Sequence, residues 1–120
     1  MTNEILVNES AIGNDQRSAS VVSDPDGNFV VTWTSNQSSG DDVYYRSFDS
    51  SGNALDNEQL AHATSTGSQS NSVIALDRIS GDFVIAWQGE GPDDGNGIHY
   101  RRFNSDGTPK DGTDQLAHST

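Results

Sequence analysis

Two copies of one seven-residue phrase constrain the fold of this chain more than any other feature. GNFVVTW runs from Gly27 to Trp33, and GDFVIAW runs from Gly81 to Trp87. The Gly, Phe and Trp positions recur at a constant spacing, and the residues between the two copies repeat as well. A tandem repeat indicates units that are each one supersecondary element, unable to bury its apolar surface alone. The chain is therefore interpreted as two equivalent units.

Each unit consists of short apolar runs with strand-like alternation, separated by turn residues, and no helical period is present. The Asp-Gly and Ser-Gly-Asp steps between the first two runs favour hairpins. The predicted strands are SASVVSD (18–24), GNFVVTW (27–33), VYYRSF (43–48) and EQLAH (58–62), then NSVIALD (71–77), GDFVIAW (81–87), IHYRRF (98–103) and DQLAH (114–118). An extra copy of the Leu-containing strand, EILVN (4–8), precedes them. Four strands per unit suit an antiparallel meander.

The predicted fold class is all-β, with two four-stranded antiparallel β-propeller blades per chain. The nearly continuous apolar run FVVTW indicates a sheet that neighbours cover on both faces. A β-sandwich built from the same strands is the alternative. The predicted division of the chain is an N-terminal strand and connection (1–17), blade 1 (18–62), a connection (63–70) and blade 2 (71–118).

Two blades do not close a propeller, because such rings typically have about four to eight. We therefore expect a cyclic homo-oligomer, with three chains giving six blades or four chains giving eight. The Leu6 strand duplicates the role of the Leu116 strand, so one of the two is in excess. The sequence does not decide which of them completes a blade.

Charge and composition limit the kinds of partner that this chain is expected to bind. Among 120 residues, 18 are acidic and 6 are Lys or Arg, and the formal net charge is −12. Nucleic acids and anionic membranes require a basic surface, so neither is an expected partner. Leu, Ile, Val and Phe make up only about 19% of the chain, which approaches disordered compositions, but their grouping into alternating runs favours order. The absence of cysteine excludes disulfides and thiolate metal sites.

The repeat resembles a known class of secreted protein. FVVTW, a Gly/Asp-rich loop, VYYRSFDSSGNAL and EQLAHATSTGSQSN are similar to the tandem segments of very large bacterial adhesins of the RTX-like type. The resemblance covers nearly all of both repeats, and it implies an extracellular or cell-surface location, although the chain begins with no classical signal peptide. The nonapeptide calcium repeat GGxGxDxUx of RTX proteins is absent. In architecture alone, the chain is also similar to two-bladed bacterial fucose-binding lectins that assemble into six-bladed rings.

The candidate binding residues lie in or beside the loops that differ between the two repeats. These loops, Thr34 to Asp42 and Gln88 to Gly97, are expected to emerge at one edge together with the connections 10–16 and 63–71. Trp33 and Trp87 adjoin them, and each indole is a candidate for stacking on a sugar or, alternatively, for packing between blades.

The same loops carry four candidate oxygen ligands for Ca²⁺, and a solvated acidic surface is the alternative. They are Asp41, Asp42, Asp93 and Asp94. No other cofactor is expected. Arg46 and Arg101 are interpreted as structural, paired with a nearby Asp or with Gln16 or Gln69, with contact to a ligand hydroxyl or carboxylate as the alternative. His62 and His118 recur on the Leu-containing strands and are expected on the surface of outer strands, with a metal-binding His pair as the alternative, whereas His99 stands in place of Tyr44.

No sequence motif predicts an enzyme. The chain contains no HExxH, no GxSxG, no phosphate-binding loop and no cysteine nucleophile. The sequence therefore predicts a non-enzymatic, lectin-like or adhesin-like binding module with several equivalent loop sites for glycans. The alternative is a purely structural or engineered repeat fragment of a larger propeller or adhesin, with no ligand of its own.

Overall fold

The computed structural model describes residues 6–7, 16–36, 41–63, 68–89 and 97–117. It is all-β, with two four-stranded antiparallel sheets whose strands pair in chain order. Sheet 1 consists of β1 (Gln16–Ser23), β2 (Phe29–Ser35), β3 (Asp42–Phe48) and β4 (Gln59–Leu60), and sheet 2 of β5 (Gln69–Leu76), β6 (Phe83–Gly89), β7 (Gly97–Phe103) and β8 (Gln115–Leu116). Among these residues no helix is long and apolar enough to cross a membrane.

The eight strands of the two repeats are confirmed in order and pairing. The two outer strands, β4 and β8, are shorter than predicted, with two residues each. Leu6 and Val7, which belong to the predicted strand 4–8, form no strand, and the rest of that segment lies outside the described residues. The described residues of one chain form two separate sheets and no closed ring.

Aspartates at the start of the turns explain why the hairpins close where they do. The Asp24 carboxylate accepts hydrogen bonds from the backbone N–H groups of Asp26 and Asn28 at 2.9 and 3.0 Å. Gly27 follows at φ +90°, a left-handed conformation that favours glycine. The same arrangement recurs at Asp49 in the turn after β3, whose carboxylate accepts from Ser51 and Asn53. These side chains replace the partners that the turning backbone lacks.

Each sheet has two faces, which we name after the residues that they carry. Because β2 and β3 pair in register Thr32↔Tyr45 and Trp33↔Tyr44, alternate residues separate onto opposite faces. The Tyr face contains Val30, Thr32 and Tyr45 in sheet 1, and Val84, Ala86 and Tyr100 in sheet 2. The Trp face contains Phe29, Val31 and Trp33 in sheet 1, and Phe83, Ile85 and Trp87 in sheet 2.

The core of the chain is formed by the Tyr face of sheet 1 packed on the Trp face of sheet 2. The Tyr45 ring lies 5.8 Å from the Phe83 ring and 4.7 Å from the Phe103 ring, between centroids. Its hydroxyl donates a hydrogen bond of 2.7 Å to the Gly107 carbonyl in sheet 2. A second polar contact joins Thr32 Oγ1 to Ser72 Oγ at 3.2 Å. Apolar packing, with these hydrogen bonds among others, thus holds the two sheets together.

The expectation of a sheet covered on both faces is met only in part within one chain. Along β6, the Trp-face residues Phe83, Ile85 and Trp87 are buried, whereas Val84 and Ala86 on the Tyr face are half-buried. On sheet 1, the Trp-face residues Phe29 and Val31 are likewise half-buried, although Trp33 and Phe48 on the same face are buried. Among the described residues, one Trp face and one Tyr face therefore have no sheet packed against them.

The Tyr45 hydrogen bond between the sheets leads to a stability prediction. Tyr45→Phe removes the hydroxyl and leaves the Gly107 carbonyl without its donor, so we expect a loss of about 1 kcal/mol, or about 4 °C in Tm. The matched control is Tyr100→Phe, the equivalent change on the open Tyr face of sheet 2. Thermal unfolding of dilute protein measures both. Equal Tm values for the two variants would contradict the role assigned to Tyr45.

A second prediction concerns alkaline pH. Burial, together with the nearby Asp56 charge, raises the pKa of Tyr45 to about 12, above its ordinary value of 10.0. The unfolded chain then loses this proton at a lower pH than the folded chain, so stability is full below about pH 10 and falls as pH rises toward 12. Urea unfolding at pH 9 to 11 measures the decline. It should be shallower for Tyr45→Phe, and parallel curves would contradict the assignment.

Candidate functional site

The candidate site is the edge of the two sheets where the variable loops begin and end. The expected meeting of loops there is seen for two of them. The Gln69 N–H donates to the Asp41 carbonyl at 2.8 Å, and the Asp41 N–H donates to Ser68 Oγ at 3.4 Å. These bonds join the loop before β3 to the connection before β5. The segments 37–40, 64–67 and 90–96 lie outside the described residues.

The two predicted tryptophans are both buried. Trp33 is 4% exposed and stacks on Tyr44 with 6.1 Å between ring centroids. Trp87 is 1% exposed and lies 5.8 Å from the His62 ring and 6.4 Å from the His99 ring. Sugar stacking needs an open aromatic face, which neither indole presents among the described residues. In this chain their contacts are packing contacts.

The structure describes two of the four predicted acidic residues, Asp41 and Asp42. The Asp41 carboxylate forms an ion pair with Arg17, and its side chain is 25% exposed. Asp42 is buried, with its Oδ1 3.5 Å from His62 Nε2. Asp93 and Asp94 lie outside the described residues. Among the residues that the structure describes, no three His, Cys, Asp or Glu side chains cluster closely enough to hold a metal ion.

The expectation of a surface position is wrong for His62, and His118 lies outside the described residues. His62 is 2% exposed, and its Nε2 accepts a hydrogen bond of 3.2 Å from the Val43 N–H. His99 is fully buried beside Trp87, and neither ring nitrogen has a hydrogen-bond partner among the described residues.

Sequence signals for this burial were available but weak. His99 occupies the position of Tyr44 in the first repeat, directly opposite Trp87 in the β6–β7 register. His62 follows a two-residue strand and reaches across to the neighbouring sheet, which no local pattern reveals. The result is a buried polar layer beside Trp87 at the loop edge. The groups in this layer can donate and accept hydrogen bonds, but the layer lines neither of the two open grooves.

The repeated arginines have backbone carbonyls among their partners. Arg46 Nε donates to the Asp56 carbonyl and Arg101 Nε to the Asp111 carbonyl, each at 2.8 Å. Each guanidinium also lies near its own sheet's Phe ring, at 5.7 Å in sheet 1 and 5.9 Å in sheet 2. The Arg102 side chain bonds to the Asp111 carboxylate and holds the pKa of that group below its ordinary value. These contacts fasten the outer turns to the sheets.

Open grooves are found on the two faces that lack a packed sheet. One of about 290 Å³ is lined by residues that include Ala75, Val84 and Arg102 on the Tyr face of sheet 2. Another of about 210 Å³ is lined by residues that include Val7 and Trp33 on the Trp face of sheet 1. Both faces offer mainly apolar surface, which is suited to packing against another protein surface.

Comparison with known proteins provides no family for this chain. A scan against protein-family models found no match, and searches of curated proteins and of solved structures also found none. The geometry of the chain's own residues is the basis for the function proposed below.

The loop edge leads to a prediction at Gly89, the last residue of β6. Gly89 has φ +148°, and a Cβ there would lie 2.2 Å from the Ser68 carbonyl oxygen and 2.8 Å from Gln69 Cα. Gly89→Ala should therefore cost more than about 2 kcal/mol, because backbone atoms must move apart. Gly112→Ala, where nothing lies within 4 Å of the added Cβ, is the control. Chemical denaturation measures both, and equal stabilities would contradict this close approach.

Proposed function

We propose that this chain is a non-enzymatic binding module that associates with copies of itself into a closed β-propeller ring. In this proposal each sheet is one blade, and the loop edges of the ring form several equivalent binding sites. The observation that supports it is the packing of unlike faces, the Tyr face of sheet 1 on the Trp face of sheet 2. The proposal depends on the symmetry of that contact.

A contact between unlike faces buries only one of the two faces of each sheet. It leaves one Trp face and one Tyr face open, and these are the two kinds of surface that pack together inside the chain. Repeating the contact from chain to chain is a head-to-tail arrangement, which closes into a ring when the rotation per chain divides a full turn. Three chains would supply six blades and four chains eight, both within the usual range of about four to eight.

The proposed ligands are glycans or other molecules of a cell surface, in keeping with the resemblance to adhesin repeats. The loops at the candidate edge differ between the two repeats while the strands repeat, as is typical of binding loops on a rigid scaffold. A ring would present several copies of each loop, so weak sites would gain avidity without new contacts. Asp41, Asp42, Asp93 and Asp94 remain the proposed oxygen ligands for Ca²⁺.

A second candidate function is a structural repeat unit with no ligand. The observations that favour it are the burial of both tryptophans and the pairing of the Asp41 carboxylate with Arg17. Each of these groups already has a partner inside the chain. In this alternative the module would act only as a spacer or as part of a larger array.

Two measurements test the proposed function. Multi-angle light scattering of purified protein at tens of micromolar should give three or four times the chain mass of 12.8 kDa. A folded species with the mass of one chain would contradict the ring. A glycan array probed with the assembled protein should then show binding that weakens when the loops are altered. An assembled ring that binds no glycan would favour the structural alternative.

A further inference from the structure

We infer that the Trp face of sheet 1 is a docking surface for the Tyr face of sheet 2 in a second copy of this chain. We further infer that Val7 occupies part of this surface until the second copy displaces it. The inference rests on the proposed self-association and names the residues that carry it. Its basis is the internal contact between the sheets, which specifies what each open face would meet.

Exposed apolar side chains on the open faces have buried equivalents at the internal contact. Val21, on the Trp face of sheet 1, is 60% exposed, whereas its repeat equivalent Ile74 is 8% exposed. Ile98, on the Tyr face of sheet 2, is 45% exposed, whereas its equivalent Val43 is fully buried. The internal contact therefore buries Ile74 and Val43, whose repeat equivalents Val21 and Ile98 remain exposed on the two outer faces. A second copy docked in the same way would bury Val21 and Ile98.

A hydrogen bond between copies follows from the same equivalence. Tyr45 in sheet 1 donates to the carbonyl of Gly107, in the turn after β7. The equivalents are Tyr100 in sheet 2 and Gly52 in the turn after β3. Both glycines adopt positive φ, +91° at Gly107 and +87° at Gly52, so the two turns present comparable backbones. Docking would place the Tyr100 hydroxyl on the Gly52 carbonyl of the second copy.

The groove on the Tyr face of sheet 2 is the counterpart of a cavity of about 300 Å³ between the sheets, which the neighbouring sheet borders without filling. On sheet 1, the corresponding position beside Val30 and Ser47 is bordered by Leu76, Gly81 and Ser105 of sheet 2. The equivalents of these last three residues are Ser23, Gly27 and Ser50. In a docked pair they would belong to the second copy and would border the groove of about 290 Å³.

Val7 now covers part of the Trp face of sheet 1. It lines the same groove as Val31 and Trp33, and its carbonyl accepts a hydrogen bond of 2.7 Å from Arg46 Nη1. The neighbouring Leu6 is 62% exposed, so among the described residues before β1 only Val7 adds cover. Among the described residues, one hydrogen bond and one small apolar contact hold Val7, which is a weak hold.

The position that Val7 holds is one that a second copy would also fill. Val7, Ala61 and Ala117 occupy the same place in the three Leu-containing segments. Ala61 is fully buried in the core between the sheets, in the same cluster as Trp87. A docked copy would bring Ala117 to the equivalent place near Trp33. Val7 and Ala117 would then compete for one position, and assembly would require that Val7 leave it.

The experiment blocks one face at a time. Val21→Glu places a charge on the Trp face of sheet 1, and Ile98→Glu places one on the Tyr face of sheet 2; both positions are exposed, so each chain should fold. Ile79→Glu is the matched control, at a residue 98% exposed in the turn between β5 and β6. By light scattering, each blocked variant alone should be monomeric, and the control should associate like the wild-type chain.

Mixing the two blocked variants distinguishes head-to-tail docking from other modes of association. The open Tyr face of Val21→Glu should dock on the open Trp face of Ile98→Glu, giving a one-to-one dimer that grows no further. If the wild-type chain associates but the mixture stays monomeric, or if either blocked variant associates alone, the inferred surface is wrong. If the wild-type chain is itself monomeric, the proposed self-association fails together with the inference.

A second pair of variants tests the displacement of Val7. Val7→Asp in the full chain places a charge against the apolar groove and should release the segment. Association of the wild-type chain should then tighten roughly fivefold, which sedimentation or dilution light scattering can measure. Leu6→Asp, at the exposed neighbouring position, is the control and should leave association unchanged. Weaker association of Val7→Asp would show that Val7 belongs to the interface, and would overturn its displacement.

Discussion

The contact of Tyr45 with the Phe83 and Phe103 rings is the interaction on which the arrangement of the two sheets depends. A four-stranded sheet of this size has two apolar faces and cannot bury either of them by itself. Tyr45 meets this need by packing its ring against the stacked Phe83 and Phe103 rings of sheet 2 and by donating its hydroxyl to Gly107. The remaining core residues, from Val30 to Ile85, pack around that contact. The relative position of the sheets is therefore set by one aromatic cluster with a polar end.

This contact is directional, because it joins two different faces of a repeated unit. A contact between like faces would pair two sheets and end there, whereas a contact between unlike faces leaves a complementary pair open. The exposed Val21 and Ile98 lie on those open faces. Self-association and the competition at Val7 are proposals derived from this single asymmetry. The proposed ligand sites do not follow from this contact, because they depend on loops whose sequences differ between the two repeats.

Local pattern predicted the strands well and their surroundings less well. Alternating Val, Phe and Ile runs, closed by Asp and Gly turns, indicated all eight strands in order, because turn chemistry and strand period are properties of neighbouring residues. How deeply a side chain is buried does not follow from its neighbours in the sequence. Trp33 and Trp87 share one motif, yet Trp33 packs on Tyr44 and Trp87 lies between two histidines. The expected surface position of His62 is wrong because its burial arises from the neighbouring sheet, which a strand pattern does not encode.

A disulfide cross-link between copies tests the repeated contact most directly, and the absence of cysteine in the chain makes it specific. Thr32 Oγ1 and Ser72 Oγ lie 3.2 Å apart between the sheets, so the double variant Thr32→Cys/Ser72→Cys should oxidise within one chain and serve as the control. The repeat equivalents are Ala86 and Ala19, which belong to the two open faces. The account predicts that Ala19→Cys/Ala86→Cys forms covalent multimers on non-reducing mass analysis, ending at the size of the ring. An Ala19→Cys/Ala86→Cys chain that stays a single reduced monomer, while the control closes its disulfide, would contradict it.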